Sequence, residues 1–415
     1  MADLDVWLFD QMAGQLSENG KGVLTFAYSP EWIDAGMPPL SQRLPVRRQA
    51  FGDDRVRPFF DGLLPEGDAR RMVARRVGVS PGNVFGLLAA LAGDTAGAVS
   101  VLAPGAPAPR GSEEDVRWFD EPELAAAVRD LPRRPLFADV EEGIRLSLAG
   151  VQDKMPVVVR EGAIGVTNGR FPSTHILKAP IARLEDTIAN EAFCLELAAR
   201  VGLIAASAEQ ATASETEFLL VRRYDRRLVD GQVQRLHQED FCQALGIPPD
   251  RKYEAEGGPG IATCASLLRA CSTLPAVDVI AFVDAVTFNF LIGNHDAHGK
   301  NYSVLYTPDG ARLAPLYDLI STAAYHGLSR KMAMKIGGDY RPDRVRRRHI
   351  ARMAAGAGLG EAAVRRRMRQ LARVAGDQAA ELLEQFRARG ADRPVLERVV
   401  ALVRSRGLHL TEELG

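Results

Sequence analysis

The sequence predicts an α+β protein in three parts, and three observations carry that prediction. Short apolar runs broken by Gly, Pro and Asn fill the first hundred residues, strand-like runs around one helical segment fill 145–245, and helical periodicity dominates from 245 onward. The corresponding parts are an N-terminal β-containing domain over 1–105, a connecting segment over 106–140, a small lobe of sheet plus helix over 141–245, and a mostly helical large lobe over 246–415.

Each element has a local reason. VWLF, GVLTFAY and LPV are short enough for strands, and LAPGAPAPRGSEED (102–115) reads as the exit from the first domain, because Pro, Gly and Ala followed by acids pack poorly. MPVVVREGAIGVT reads as a hairpin turning near Glu161 and Gly162, THILKAP as a short strand, and EFLLVRRYDR as another. Between the last two, IANEAFCLELAARVGL spaces Ile188, Phe193, Leu195, Leu197 and Val201 on one helical face and stops at Gly202. VDVIAFVDAVTFNFLIG and most of 361–407 continue the helical pattern, interrupted by a hairpin around Pro308, Asp309 and Gly310.

Composition narrows the class. The chain is 46% hydrophobic and 25% charged with a net charge of −1, which excludes bulk disorder and gives no global field toward nucleic acid or membrane. MADLDVWLFD carries acids where a signal peptide carries bases, and no run reaches the roughly 20 apolar residues of a span, so the expectation is a cytoplasmic protein without membrane contact. Cys194, Cys242, Cys264 and Cys271 form no CxxC pair and read as buried reduced thiols.

The chemistry concentrates in LIGNHDAHGKNYSV (291–304), which holds two of the chain's seven histidines. His295, Asp296 and His298 could ligate zinc, yet HDAH lacks the HExxH spacing that puts two imidazoles on one helical face. Read as a loop, Asp296 followed by four residues and Asn301 reproduces the D-x-x-x-x-N of kinase catalytic loops, where Asp takes the acceptor proton and Asn holds magnesium. A second hard ligand is needed, and Asp318 in APLYDLIS stands where kinases carry D-F-G, although a single Asp there equally caps a turn. Lys178 in THILKAP could meet nucleotide phosphates with Glu191 as its partner, or be an edge-strand lysine. GxGxxG and GxxxxGK[ST] are both missing. In their place stands RLSLAGVQDKMPVVV (145–159), where Ala149 and Gly150 allow close backbone approach and Gln152 and Lys154 can donate to phosphate, and which is otherwise an ordinary polar turn.

Eight ordered motifs give the chain a resemblance. FFDGLLPEGDARR (59–71), SLAGVQDK (147–154), HILKAP, VRRYDR (221–226), RLHQEDFCQALG (235–246), GGPGI (257–261), LIGNHDAHGKNYSV and PLYDLIS together resemble the HipA-like serine/threonine kinases, toxin components of bacterial toxin–antitoxin pairs, over nearly the whole chain. The resemblance implies a two-lobed protein-kinase-like fold with ATP and Mg²⁺ as cofactors. It implies Asp296 as catalytic base, Asn301 and Asp318 as metal ligands, and Lys178 and His298 at the nucleotide. Ala149, Gly150, Val151, Gln152, Asp153 and Lys154 would form the phosphate-covering loop, and the backbone of Arg222, Arg223 and Tyr224 the adenine hinge. Ser147 would be a regulatory phosphorylation site whose phosphate ejects the loop, since nearly two added negative charges repel ATP. Arg222 departs from the acid of relatives at that hinge position.

The implied partners are a small helix-turn-helix antitoxin, operator DNA through that complex, and a protein substrate of translation, an aminoacyl-tRNA synthetase above all. A non-protein acceptor, or an idle antitoxin- or DNA-binding module, are the competing functions for the same fold. Residues 341–375 hold eleven arginines against Asp343 and Glu361, which reads either as a solvated helix face or as a surface for DNA phosphates or an acidic partner.

Overall fold

The structure is a computed structural model that describes residues 2–91, 93–133, 135 and 153–415. It is α+β and divides into two compact units, the first formed by Met1–Ala179, Ala211–Asp250 and Leu305–Thr307, the second by Pro180–Gln210, Arg251–Val304 and Pro308–Gly415.

Unit 1 begins with an antiparallel sheet in the order β3-β2-β1-β4, where β1 is Ala2–Leu8, β2 Gln11–Glu18, β3 Leu24–Tyr28 and β4 Val99–Leu102. Leu4, Val6, Leu8, Leu16 and Phe26 turn inward from it and pack with helices α1 (Pro30–Asp34), α2 (Asp53–Asp61), α3 (Gly67–Arg76) and α4 (Val84–Leu91). The FFDG stretch is part of this packing: Phe59 and Phe60 are fully buried with their rings edge to face at 5.2 Å. Gln243 donates to the Phe59 carbonyl at 2.9 Å, and a Cβ on Gly62 would lie 2.6 Å from the Gln243 Cγ, so two of the eight motifs lock to each other.

A second sheet follows in the order β5-β7-β6-β8-β10-β9, from β5 (Val116–Trp118), β6 (Lys154–Arg160), β7 (Ala163–Thr167), β8 (His175–Lys178), β9 (Ala208–Ala213) and β10 (Thr216–Arg222). The expected hairpin is present as β6 and β7. Its two-residue turn has positive φ at Glu161 (49°) and Gly162 (84°), the backbone a right-twisted hairpin needs. Residues 116–118 and 121–130 supply β5 and helix α5 (Glu121–Asp130), whose Leu124, Ala125 and Val128, with Leu131 at its C-terminal cap, pack with Met155, Val157 and Leu177 of the sheet. Beyond β10 come β11 (Arg226–Val229), β12 (Gln232–Arg235), β13 (His237–Asp240) and the short α7 (Phe241–Leu245).

A buried charge cluster in unit 1 ties the loops before β4 and β8 to the end of β10 and to β11 and β12. Asp94, fully buried, accepts from the Ser173 N–H (3.0 Å) and Oγ (2.6 Å), from Arg226 (2.8 Å) and from Arg235 (3.3 Å), with Arg223 at 3.4 Å. Asp225 binds Arg223 in turn and accepts the Gly97 N–H at 2.7 Å. Burial by itself would raise the Asp94 carboxyl, but Arg226, Arg223 and Arg235 outweigh it and hold the group well below the usual carboxylate range.

Unit 2 holds α6 (Thr187–Arg200), α8 (Ile261–Cys271), α9 (Pro275–Ile292), α10 (Arg347–Gly356), α11 (Glu361–Ala388) and α12 (Pro394–Leu414). The hairpin β14 (Ser303–Thr307) and β15 (Gly310–Leu313) interrupts the helices at the expected place, turning at Asp309. Helix α6 ends at Arg200 and Gly202 follows with φ 84°, as its spacing predicts. Helix α9 is long and apolar enough by composition to cross a membrane, yet 72% of it is buried in the structure, where it packs against α8, α11 and α12. Cys194, Cys242 and Cys264 are buried free thiols, whereas Cys271 is half-buried.

Candidate functional site

The catalytic-loop motif starts where α9 stops. Gly293 adopts φ 74°, and its N–H bonds back to the carbonyls of Asn289 and Phe290; a Cβ there would meet the Ala323 Cβ at 2.7 Å, so both backbone and space demand glycine. From Leu291 to Lys300 every residue is buried except Asp296, which is exposed. The loop thus presents one carboxylate from an otherwise closed surface.

Backbone bonds turn the loop tightly. The His298 N–H donates to the Asp296 carbonyl (2.8 Å) and the Asn301 N–H to the His298 carbonyl (3.0 Å), which folds Gly299–Asn301 into a 3₁₀ turn. His295 is structural: its N–H donates to Thr322 Oγ1 (2.9 Å), Nδ1 meets the Ser329 carbonyl (2.8 Å) and Nε2 meets Arg406 (3.0 Å). Since Arg can only donate, Nε2 accepts and the proton sits on Nδ1. Burial pushes the imidazole down, which keeps it neutral. Both ring nitrogens are engaged, so His295 is neither a base nor a metal ligand.

Asp318 is brought to this loop by four ties. Leu316 pairs with the 204–206 stretch through its N–H to the Ile204 carbonyl (2.8 Å) and its carbonyl to the Ala206 N–H (2.8 Å). The Tyr317 hydroxyl donates to the Lys300 carbonyl at 2.7 Å, next to Asn301. The Asp318 carbonyl accepts from Asn294 Nδ2 at 3.2 Å. Ser321 is held by Asn190 of α6, which accepts its N–H (2.9 Å) and donates to its carbonyl (3.1 Å). Asp318 itself has φ 52°, a left-handed conformation costing on the order of 1–3 kcal/mol for a non-glycine residue, tolerated where surroundings over-determine it and concentrated at functional sites.

Asn294 is the joint between the two acids. Its Oδ1 accepts the Asp296 N–H (3.1 Å), while Nδ2 reaches the Asp318 carbonyl and Asn289 Oδ1 (2.9 Å). Sequence reasoning did not assign Asn294, Tyr317, Asn190 or Arg406 a role. Asn294 and Tyr317 stand inside the quoted motifs, Tyr317 directly before Asp318, whereas Asn190 and Arg406 lie far away in sequence. Tyr253, in the stretch before GGPGI, donates its hydroxyl to Asp296 Oδ1 at 2.5 Å and sets its ring edge-on against His298 at 5.0 Å.

The donors suit a hard cation. Asn301 Oδ1 is buried and accepts no hydrogen bond among the described residues, a state that costs about 1–3 kcal/mol unless a donor or metal meets it. Among the described residues no three His, Cys, Asp or Glu side chains gather as a ready metal cage. Mg²⁺ needs none when one or two protein oxygens are completed by phosphate and water.

In unit 1 the remaining candidates lie on adjacent strands. Lys154 of β6 stands directly opposite Lys178 of β8, both buried, and Lys178 also faces Leu219 of β10. Two like charges side by side are unfavourable in a sheet unless other groups offset them. Asp153 accepts the Ala179 N–H through its carbonyl (3.1 Å), and burial, with Asp68 nearby, raises its carboxyl. At the expected hinge, Arg222 ends β10 opposite His175, and burial with the Arg222 charge pushes that imidazole down to about 4. The Arg223 N–H is already committed to the Thr174 carbonyl (3.0 Å), and its side chain belongs to the Asp94 cluster; the Tyr224 hydroxyl donates to Gln238. Ser147, Ala149, Gly150, Val151 and Gln152 lie outside the described residues.

The arginine-rich 341–375 segment is partly neutralised, from within itself and from elsewhere in the chain. Arg346 pairs with Glu413, Arg347 with Glu361 and Arg367 with Asp284, while Arg365 donates to the Leu414 and Gly415 carbonyls. Arg344, Arg346, Arg347 and Arg348 still line an open cleft with Asp339 and Glu413.

Comparison with known proteins agrees with this layout. The HipA N-terminal domain matches residues 4–102 and the HipA-like C-terminal domain matches residues 146–379. The protein Y4mE of Sinorhizobium fredii is 46% identical over 386 residues, spanning 92% of each chain. The serine/threonine-protein kinase toxin HipA of Shewanella oneidensis is 32% identical over 372 residues, 86% of this chain and 83% of that one. A solved structure of Shewanella oneidensis HipA with HipB and its operator DNA superposes with a TM-score of 0.86 at 27% identity, covering 99% of this chain and 98% of the other. The chain therefore belongs to the HipA family of serine/threonine-protein kinases.

Proposed function

We propose that this chain is an ATP- and Mg²⁺-dependent kinase acting as the toxin of a toxin–antitoxin pair in the cytoplasm, and that its acceptor is a serine on a protein of translation, an aminoacyl-tRNA synthetase in first place. The observation that carries the reading is the Asn294 joint, which ties the exposed Asp296 and the strained Asp318 into one construction beside the Asn301 oxygen that accepts no hydrogen bond among the described residues. Asp296 takes the acceptor proton, since it alone projects from the buried loop. Asn301 and Asp318 hold Mg²⁺, which when bound neutralises charge on the transferring phosphoryl group. Lys154 and Lys178 receive nucleotide phosphates, with the 149–154 loop as cover, His298 beside the nucleotide, and the 222–224 backbone at adenine.

Regulation and partners follow the same reading. Phosphorylation of Ser147 shuts the kinase by repelling the nucleotide. A small helix-turn-helix antitoxin binds the chain and brings it to operator DNA, as the Shewanella oneidensis HipA complex contains HipB and operator DNA. The cleft at Arg344, Arg346, Arg347 and Arg348 is the surface for DNA phosphates in that assembly.

Intact and peptide mass spectrometry after incubation with ATP and Mg²⁺, beside an Asp296→Asn control, tests the proposal. One phosphate on Ser147 that the control lacks supports both the chemistry and the switch. Phosphate on Ser147 in the control as well removes Asp296 from the role of base, and no ATP binding at all refutes the kinase reading.

A further inference from the structure

Tyr253 stands in a place the reaction does not leave vacant for it. Asp296 is the only exposed residue between Leu291 and Lys300, and the Tyr253 hydroxyl already donates to its Oδ1 at 2.5 Å. A short O–H···O⁻ bond of this kind is charge-assisted and stronger than a neutral one. It is also the bond an acceptor hydroxyl makes to a kinase base just before transfer.

The ring is held there from several sides. It meets His298 edge-on at 5.0 Å, and Lys252 Nζ lies 5.7 Å above its face. The neighbouring backbone is fixed to the catalytic loop through the Gly299 N–H and the Lys252 carbonyl (3.3 Å). On the other side, the Glu254 N–H donates to the Ala333 carbonyl (3.2 Å), and its side chain accepts the Lys335 N–H (2.6 Å). The Gly258 N–H closes back on the Tyr253 carbonyl at 2.8 Å. A half-buried side chain anchored at both flanks is a built contact rather than a passing rotamer.

We infer that Tyr253 is an acceptor mimic: its hydroxyl occupies the position on Asp296 that an incoming serine hydroxyl must take, so phosphoryl transfer requires the acceptor to displace it. Tyr253 is then a specificity-determining residue. It admits an acceptor whose surrounding contacts compensate for the lost bond, and it excludes water and chance hydroxyls, which bring no such contacts. The inference rests on Asp296 being the base.

The test is Tyr253→Phe, which keeps the ring against His298 and deletes only the hydroxyl. ADP formation from ATP and Mg²⁺, with no added protein acceptor, is followed in the parent, in Y253F, and in each combined with D296N. The expected result is a rise of roughly three- to tenfold in Y253F, the worth of one exposed charge-assisted hydrogen bond, with the KM for ATP unchanged and the rise abolished by D296N. An unchanged rate overturns the inference, because the bond then blocks nothing. A reduced kcat overturns it too, since Tyr253 would then orient the base. Phosphate found on Tyr253 of the parent by peptide mass spectrometry would make it an acceptor instead of a mimic. Turnover that survives D296N would sink the assignment of Asp296 itself, and ADP from none of the proteins would sink the kinase reading with it.

Discussion

Removing the Asp94 carboxylate isolates the energetics of the buried cluster in unit 1. The side chain is fully buried, and the Arg223 and Arg226 guanidiniums beside it are 1% and 3% exposed. Arg235 reaches the same carboxylate at 3.3 Å, so three cations face two anions, Asp94 and Asp225. Asp94→Ala leaves one anion against three cations and strips the Ser173 N–H and Oγ of their acceptor. Breaking a buried pair by deleting one partner costs about 3–5 kcal/mol, because the remaining charge stays desolvated. At about 2–4 °C per kcal/mol for a body of this size, the melting transition of unit 1 should fall by about 6–20 °C. All three tryptophans, Trp7, Trp32 and Trp118, lie in unit 1, so fluorescence-monitored urea and thermal unfolding reads this unit selectively. A loss under about 1 kcal/mol would refute the argument, for it would mean that water or a rearranged Asp225 neutralises the cluster at no cost. Asp94→Asn, which keeps an acceptor without the charge, should fall between the two.

Three further substitutions probe other parts of the molecule. Lys178→Met keeps the stem in the sheet and removes the ammonium; ATP affinity, measured by titration calorimetry, should weaken roughly tenfold or more with the fold intact. Arg406→Lys cannot serve the Phe290 carbonyl (2.5 Å) and His295 (3.0 Å) together, so kcat should fall about tenfold and stability by about 1–3 kcal/mol, whereas an unaffected kcat would show that the loop holds its shape alone. Glu239→Gln addresses pH: burial lifts this carboxyl to about 7 from 4.5, against hydrogen bonds from Ser41, Tyr306 and the Gln42 N–H. The folded chain holds that proton more tightly than the unfolded one, so Glu239's contribution declines as pH rises from about 4.5 through 7, by at most about 1.4 kcal/mol per unit. The stability of E239Q relative to the parent should therefore grow across that window in urea titrations. His237, pushed down to about 4 by burial, titrates with the opposite sign in both proteins and cancels.

Where local pattern decides conformation, the chain was readable. The 161–162 turn, the Gly202 and Gly293 helix ends and the hairpin before Asp318 follow from glycine placement and apolar periodicity, and they lie where those signals put them. The stretch after residue 115 was harder, because a three-residue strand and a ten-residue helix leave little periodicity, and β5 owes its existence to pairing with β7. The site divided along the same line. Asp296, Asn301 and Asp318 were visible through spacing, whereas Asn190, Tyr317 and Arg406 act across 100 residues or more, or through a hydroxyl that spacing cannot weigh. The arginine count could not register partial neutralisation for a similar reason. Glu413 and Asp284, which neutralise Arg346 and Arg367, lie outside the 341–375 window.

Arg406 sits on the last helix described, α12, 110 residues after Asp296, yet it grips both the last turn of α9 and the His295 ring beside Asp296. Burial has pushed its guanidinium down to about 10, so it still carries its charge into that contact. A shortened chain ending anywhere before it would retain every signature by which such a kinase is recognised, and would pass any search for them. It would nevertheless leave the Phe290 carbonyl and the His295 imidazole without their clamp. Competence in this protein is therefore a property acquired late along the chain, and an inventory of motifs in a fragment overstates what the fragment can do.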